Sequence, residues 1–261
     1  MHAPSAAGIG ASTTVPRAGI ADVFAPLSAQ GLHLHAVFDL HRLPASVQAT
    51  LGLNEAERGR FTQLILIGHR GRDFWAALQR RGLHGSDPVD TFVGECVKAW
   101  MDGTLAGHAW RQVFPGPHPV GLQALGALAG WHRPSPFWVG VDAEWGSWFA
   151  YRAVLLTDTA LPLTPKRELE SPCLACVDQP CVRACPAGAL ASEATGPWRL
   201  QACLSHRLQA DSGCQDRCLA RNACPVGAEH RYPEAQTAYH YLQSLPAIRA
   251  HAQRAPEASG G

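Results

Sequence analysis

Eight of the nine cysteines in the chain fall between Cys173 and Cys224, and thiols at that density either bind metal or pair as disulfides. The first half reads Cys173-Leu-Ala-Cys176-Val-Asp-Gln-Pro-Cys181-Val-Arg-Ala-Cys185-Pro186. Three closely spaced thiolates can wrap one face of a cubic iron–sulfur cluster, while a fourth followed by proline points away and ligates a different iron site. The second half supplies Cys203, Cys214, Cys218 and Cys224, the last again followed by proline. The two Cys-Pro units continue alike, as Cys185-Pro-Ala-Gly-Ala189 and Cys224-Pro-Val-Gly-Ala228, so the segment is an imperfect internal repeat. Two repeats that exchange their last cysteine make two four-ligand sets. Cys173, Cys176, Cys181 and Cys224 are assigned to one [4Fe-4S] cluster, and Cys185, Cys203, Cys214 and Cys218 to the other.

The spacing departs from that of two-cluster ferredoxins. Cys176 and Cys181 are separated by four residues where the bacterial run has two, and three residues separate Cys214 from Cys218. A disulfide framework would need an oxidising compartment, and the N-terminal residues have neither the basic start nor the apolar core of a secretion signal. Structural zinc would use paired Cys-x2-Cys knuckles, of which only Cys173 and Cys176 form one. Iron and sulfide are therefore the expected partners of these thiols. The ninth, Cys96, shares an apolar helical stripe with Val93, Val97 and Trp100 and is expected to be a buried, inert core thiol.

An α/β domain must carry this segment. At 261 residues the chain is long enough to bury a sizeable core. We expect a flexible lead-in over residues 1–26, an α/β domain over 27–165, an iron–sulfur module over 166–232, and a closing helix with a frayed tail over 233–261. Leu32 to Phe38 alternates as a half-buried strand, with His33 and His35 on a solvated face. Leu64 to Ile67 is a buried strand ending in the turn Gly68-His-Arg-Gly71, where glycines would let backbone N–H groups approach a cofactor; Gly68 and Gly71 are candidate cofactor-binding residues on that ground. Helices follow over 73–81 and from Asp87-Pro88 to Gly103, then a strand over 109–114 and a helix over 120–129 closed by Gly130. Further strands are expected over 137–141 and 148–157. Trp110, Trp131, Trp138, Trp145 and Trp148 crowd this region, either lining a site for a flat ligand or filling a core.

With 22 Lys and Arg against 21 Asp and Glu, and no basic stripe, nucleic acid is not an expected partner. The apolar runs fall short of the ~20 residues of a membrane span, so a cytoplasmic protein is expected.

Trp145-Gly-Ser-Trp148, the strand to Leu156-Thr-Asp158, Leu161-Pro162 and the cysteine run that follows resemble epoxyqueuosine reductase, a cobalamin-dependent iron–sulfur enzyme, over roughly residues 115–230. Gly68-His-Arg-Gly71 also looks like a turn of related cobalamin-processing proteins. The resemblance implies an α/β (α+β) fold: a nitroreductase-like mixed-sheet domain followed by a small two-cluster ferredoxin-like module, with cobalamin as a further cofactor. That family places a catalytic aspartate just before the helix that matches residues 120–129. This chain has no Asp or Glu from Trp110 to Ala129, and His118 is the nearest group able to carry a proton. Nor does it carry the helical-repeat extension of the tRNA-acting members, so reduction of epoxyqueuosine in tRNA is not expected. Two functions are consistent with these residues. One is an iron–sulfur protein exchanging single electrons with a redox partner protein; the other is an oxidoreductase whose clusters reduce a bound corrinoid.

Overall fold

The computed structural model describes residues 23–254, so most of the expected lead-in and tail lies outside the described residues. Four strands, β1 (Leu34–Asp39), β2 (Gln63–Arg70), β3 (Trp110–Phe114) and β4 (Phe149–Thr157), form one sheet in the order β1-β2-β4-β3. Five helices of two or more turns are described: α1 (Asp73–Arg81), α2 (Pro88–Gly103), α3 (Leu122–Ala129), α4 (Leu200–Leu208) and α5 (Glu234–Arg254).

The expected mixed sheet is corrected: every hydrogen-bonded pair is antiparallel. β2 and β3 do run in the same direction, joined by a crossover through α1 and α2, but β4 is inserted between them. The parallel relation therefore exists without parallel pairing.

The central strands are apolar at consecutive positions because both faces of the sheet are covered. Ile65, Ile67, Ala153 and Leu155 join Phe74, Leu78, Phe92, Val97 and Trp100 in one core beneath α1 and α2. Leu64, Leu66, Val154 and Leu156 face the other way, against Leu125 and Ala129 of α3 and Trp131 and Trp145. Truncating one of these fully buried side chains to alanine should cost about 2–5 kcal/mol.

Several local expectations change. His35 does not lie on a solvated face: its ring stacks on Phe24 at 4.3 Å and bonds the Leu32 carbonyl at 2.6 Å through Nε2. Burial holds that ring's pKa down to about 4. The missing information was that Phe24 and α2 cover this face of the sheet. Residues 137–141 form no strand, since Trp138 takes φ 61° and only an isolated bridge joins Arg133 to Val141. Asp87 makes no side-chain cap bond at the start of α2.

The segment after β4 is bound to the domain. Thr164 bonds Val37 through both its hydroxyl and its N–H, each at 3.0 Å. Arg167 reaches Asp142 at 2.9 Å and Glu144 at 3.0 Å and lies over the Trp145 ring. It occupies the space where a Cβ on Gly130, which closes α3 at φ 75°, would stand.

The cysteine segment is fixed to the same surface. A Cβ on Gly146 would lie 2.0 Å from the Val226 carbonyl oxygen, and one on Gly227 would lie 2.2 Å from the Trp145 carbonyl carbon. Two glycines back to back thus allow the Cys224-Pro-Val-Gly run to lie on the Trp145-Gly-Ser-Trp148 loop. Beside them, Arg221 is buried between the rings of Trp148 and Tyr232 and donates to the Ser147 hydroxyl at 3.1 Å and to its carbonyl. Among the described residues, no helix is long and apolar enough to cross a membrane.

Candidate metal centres

The eight clustered cysteines surround two separate cavities, four to each. Cys173 and Cys176 sit in an irregular loop, Cys181 in a helical turn (Pro180–Arg183), and Cys224 directly after a second turn (Leu219–Ala223). Proline starts the first of these turns, and Gln179 before it takes φ 41°. The two turns pack on each other, so four thiols from distant points of the chain line a single small cavity of about 40 Å³, together with Pro136, Phe137 and Val226. Cys185, Cys203 on α4, Cys214 and Cys218 line the other cavity, about 310 Å³, with Phe137, Trp138, Trp198, Arg207 and Tyr241 among its walls. The cavities thus place Cys224 with the first three cysteines and Cys185 with the other three, so each repeat gives its last cysteine to the other's cavity.

The electrostatics divide in the same way. Burial pushes the Cys173 thiol up to about 11, and the neighbours that add to the effect are Cys224, Cys181 and Cys176. Cys203 is likewise held at about 11, first by burial, with Cys218, Cys185 and Cys214 also raising it. Four thiols in one half-buried space cannot all ionise without a cationic partner, because each new thiolate is desolvated and repelled by the others. Backbone donors already face two of the sulfurs: Ala189 N–H points at Cys185 Sγ and Arg221 N–H at Cys218 Sγ, both at 3.4 Å. Among the described residues, no three or more Cys, His, Asp or Glu side chains converge closely enough to hold one metal ion. The thiols instead line the walls of a space.

Arg207 secures the second cavity. Its guanidinium donates to the carbonyls of Cys214 and Tyr241 at 3.1 and 3.0 Å and to the Ser244 hydroxyl at 3.0 Å, tying the cysteine loop to α5. No spacing rule singled out Arg207, Arg221, Phe137 or Trp198, since each acts through a long-range contact.

The remaining candidates stand elsewhere. Gly68 lies inside β2 at a register shift, opposite Tyr151, where a Cβ would come 2.8 Å from the Ala150 carbonyl oxygen; it stands within the strand and not in the turn that follows it. Gly71 does turn the chain, at φ 64°, but its N–H already donates to the Trp148 carbonyl at 2.9 Å and is not available to a ligand. His118 packs on Gly52 and lines neither cysteine cavity. Trp131, Trp145 and Trp148 are buried core residues; Trp138, 48% exposed, stacks on Trp198 instead. Cys96 is half-buried at the edge of the α2 core, its pKa raised to about 11 by burial.

No family model matches the chain, and no curated protein matches it by sequence. Among solved structures it is similar to a selenomethionine-labelled epoxyqueuosine reductase, with a TM-score of 0.50 and 13% identity over 83% of this chain and 68% of that one. An epoxyqueuosine reductase from Streptococcus thermophilus gives 0.49 and 13% over 81% and 67%. A B12-trafficking protein from C. elegans gives 0.47 and 14% over 85% and 93%. The chain spans about two thirds of the length of the two reductases. At such identities the likeness concerns backbone architecture, and over most of its length the chain has an epoxyqueuosine reductase-like fold.

Proposed function

We propose that the protein holds two [4Fe-4S] clusters, one in each cysteine-lined cavity, and exchanges electrons one at a time with a redox partner protein. The observation that carries this reading is the division of eight thiols into two cavities of four. The donor set suits the group: soft thiolates select iron–sulfur clusters, and thiols that surround a space match a polynuclear centre better than a single ion. Cys173, Cys176, Cys181 and Cys224 would hold one cluster, and Cys185, Cys203, Cys214 and Cys218 the other. Bound there, each cluster supplies a one-electron couple. The protein's own part is to exclude water with Phe137, Val226 and the Trp138–Trp198 pair, to aim the N–H groups of Ala189 and Arg221 at sulfur, and to hold the second cavity's wall through Arg207.

A second reading, a corrinoid-dependent oxidoreductase, is favoured by the fold shared with the reductase. The tryptophans offer no flat-ligand site in its support, because three of the five are core residues. Anaerobic reconstitution followed by iron and sulfide counts and EPR of the reduced state tests the first reading, with eight irons and eight sulfides per chain expected. Stoichiometric zinc without sulfide would overturn it, and four irons would remove the second cluster. Spectral titration of the loaded protein with cobalamin separates the two functions: saturable binding selects the reductase, and none selects the electron carrier.

A further inference from the structure

We infer that Phe137 is the partition between the two redox centres and sets how strongly they influence each other, an inference that rests on the cluster reading above. Of the residues that line the two cysteine cavities, Phe137 alone is common to both. Its side chain is 7% exposed and packs with Cys181, Ala220 and Cys224. It does not belong to the cysteine segment; it enters from the loop after α3 as a wedge.

The backbone around it is built to keep that wedge in place. Ser135, itself 1% exposed, accepts from the Trp138 N–H at 3.0 Å and donates its hydroxyl to the Val139 carbonyl at 2.6 Å. Pro136 fixes one torsion of the turn. Trp138 then takes φ 61°, a conformation that a bulky residue avoids unless its surroundings impose it. The stacking of Trp138 on Trp198, with ring centroids 5.6 Å apart, is the contact that holds it there. The strain has a structural result: Phe137 is turned inward between the cavities, and Trp138 covers the second one.

An apolar ring in that position keeps water out of the space between two centres of like charge. Their repulsion is then weakly screened, so an electron on one lowers the potential of the other. Replacing the ring with a methyl group would admit water, screen the repulsion and bring the two midpoint potentials together. Phe137 is therefore a positioning residue: it touches both sites and ligates neither.

The test is an EPR-monitored redox titration of the anaerobically loaded wild-type protein, Phe137→Ala and Phe137→Leu, with iron counted in each. With eight irons retained, the separation between the two midpoints is expected to shrink in Phe137→Ala and to shrink less in Phe137→Leu, which fills more of the space. An unchanged separation in Phe137→Ala at full iron content overturns the inference. Should Phe137→Ala lose iron, the decision passes to Phe137→Leu: a smaller separation supports the partition, and an unchanged one overturns it. Fewer than eight irons in the wild-type protein is a different failure, that of the cluster reading itself.

Discussion

The two cysteine cavities contain the same number of thiols and are closed by different means. The first gathers Cys173, Cys176 and Cys181 with Cys224 from beyond the whole second set, and it is sealed by two helical turns packed on each other. Its loop is bare toward solvent, with Leu174 83% and Val177 93% exposed. The second takes all its cysteines from the stretch 185–218 and borrows its walls, from Trp138 on the domain side and from Tyr241 and Ser244 on α5. Both take Phe137 from the domain side, but only the second also leans on α5. Equal ligand sets therefore need not be equally robust.

The largest effect should come from exchanging the closing cysteines. Cys224→Ser is expected to remove the first cluster although its other three ligands lie far back in the sequence, and Cys185→Ser to remove the second, each taking iron from eight per chain toward four. Iron content and EPR of the two variants side by side check this. Loss of the same cluster in both variants would break the comparison.

Next comes the borrowed wall. Arg207→Ala leaves the carbonyls of Cys214 and Tyr241 without their charged donor, a loss of about 2–3 kcal/mol. Timed iron release to a mild chelator should show the second cluster leaving early and the first keeping the wild-type rate.

A smaller effect lies outside both cavities, in the sheet. Burial depresses the His35 ring from 6.5 to about 4, so between these values the unfolded chain binds the proton and the folded chain does not. Its contribution to stability is full above pH 6.5, declines as pH falls from 6.5 toward about 4, and is constant below. Urea unfolding at pH 7 and pH 5 should show this loss in the wild-type protein and less of it in His35→Phe.

The smallest effect is expected of Cys96→Ser, which should leave iron unchanged and cost roughly 1 kcal/mol at the half-buried edge of α2. Lost iron in this variant would mean that the ninth cysteine had been misread.

Periodicity located most of the elements because α1, α2, β2 and β4 each bury a continuous or regular apolar face. It missed what depends on a distant partner. His35 reads as a solvated position until Phe24 is placed on it, and Gly68 reads as a turn until Tyr151 is placed opposite it in the sheet. The stretch 137–141 has the composition of a strand, but its turn and the positive φ of Trp138 leave only Val141 paired, in an isolated bridge to Arg133. At the candidate site the cysteines announced themselves by spacing. Phe137, Arg207 and Arg221 did not, since a lone phenylalanine or arginine carries no local pattern that marks it as a wall or a clamp.

The closure of the first cavity by Cys224 also bears on how the protein is made. A chain leaves the ribosome from its N-terminus, and earlier segments fold first. Three thiols of the first set emerge early and must wait, unpaired, until every thiol of the second set has followed. The site begun first thus receives its last thiol after every thiol of the second, while the second, its cysteines already present, still waits for α5 to bring Tyr241 and Ser244 to its wall.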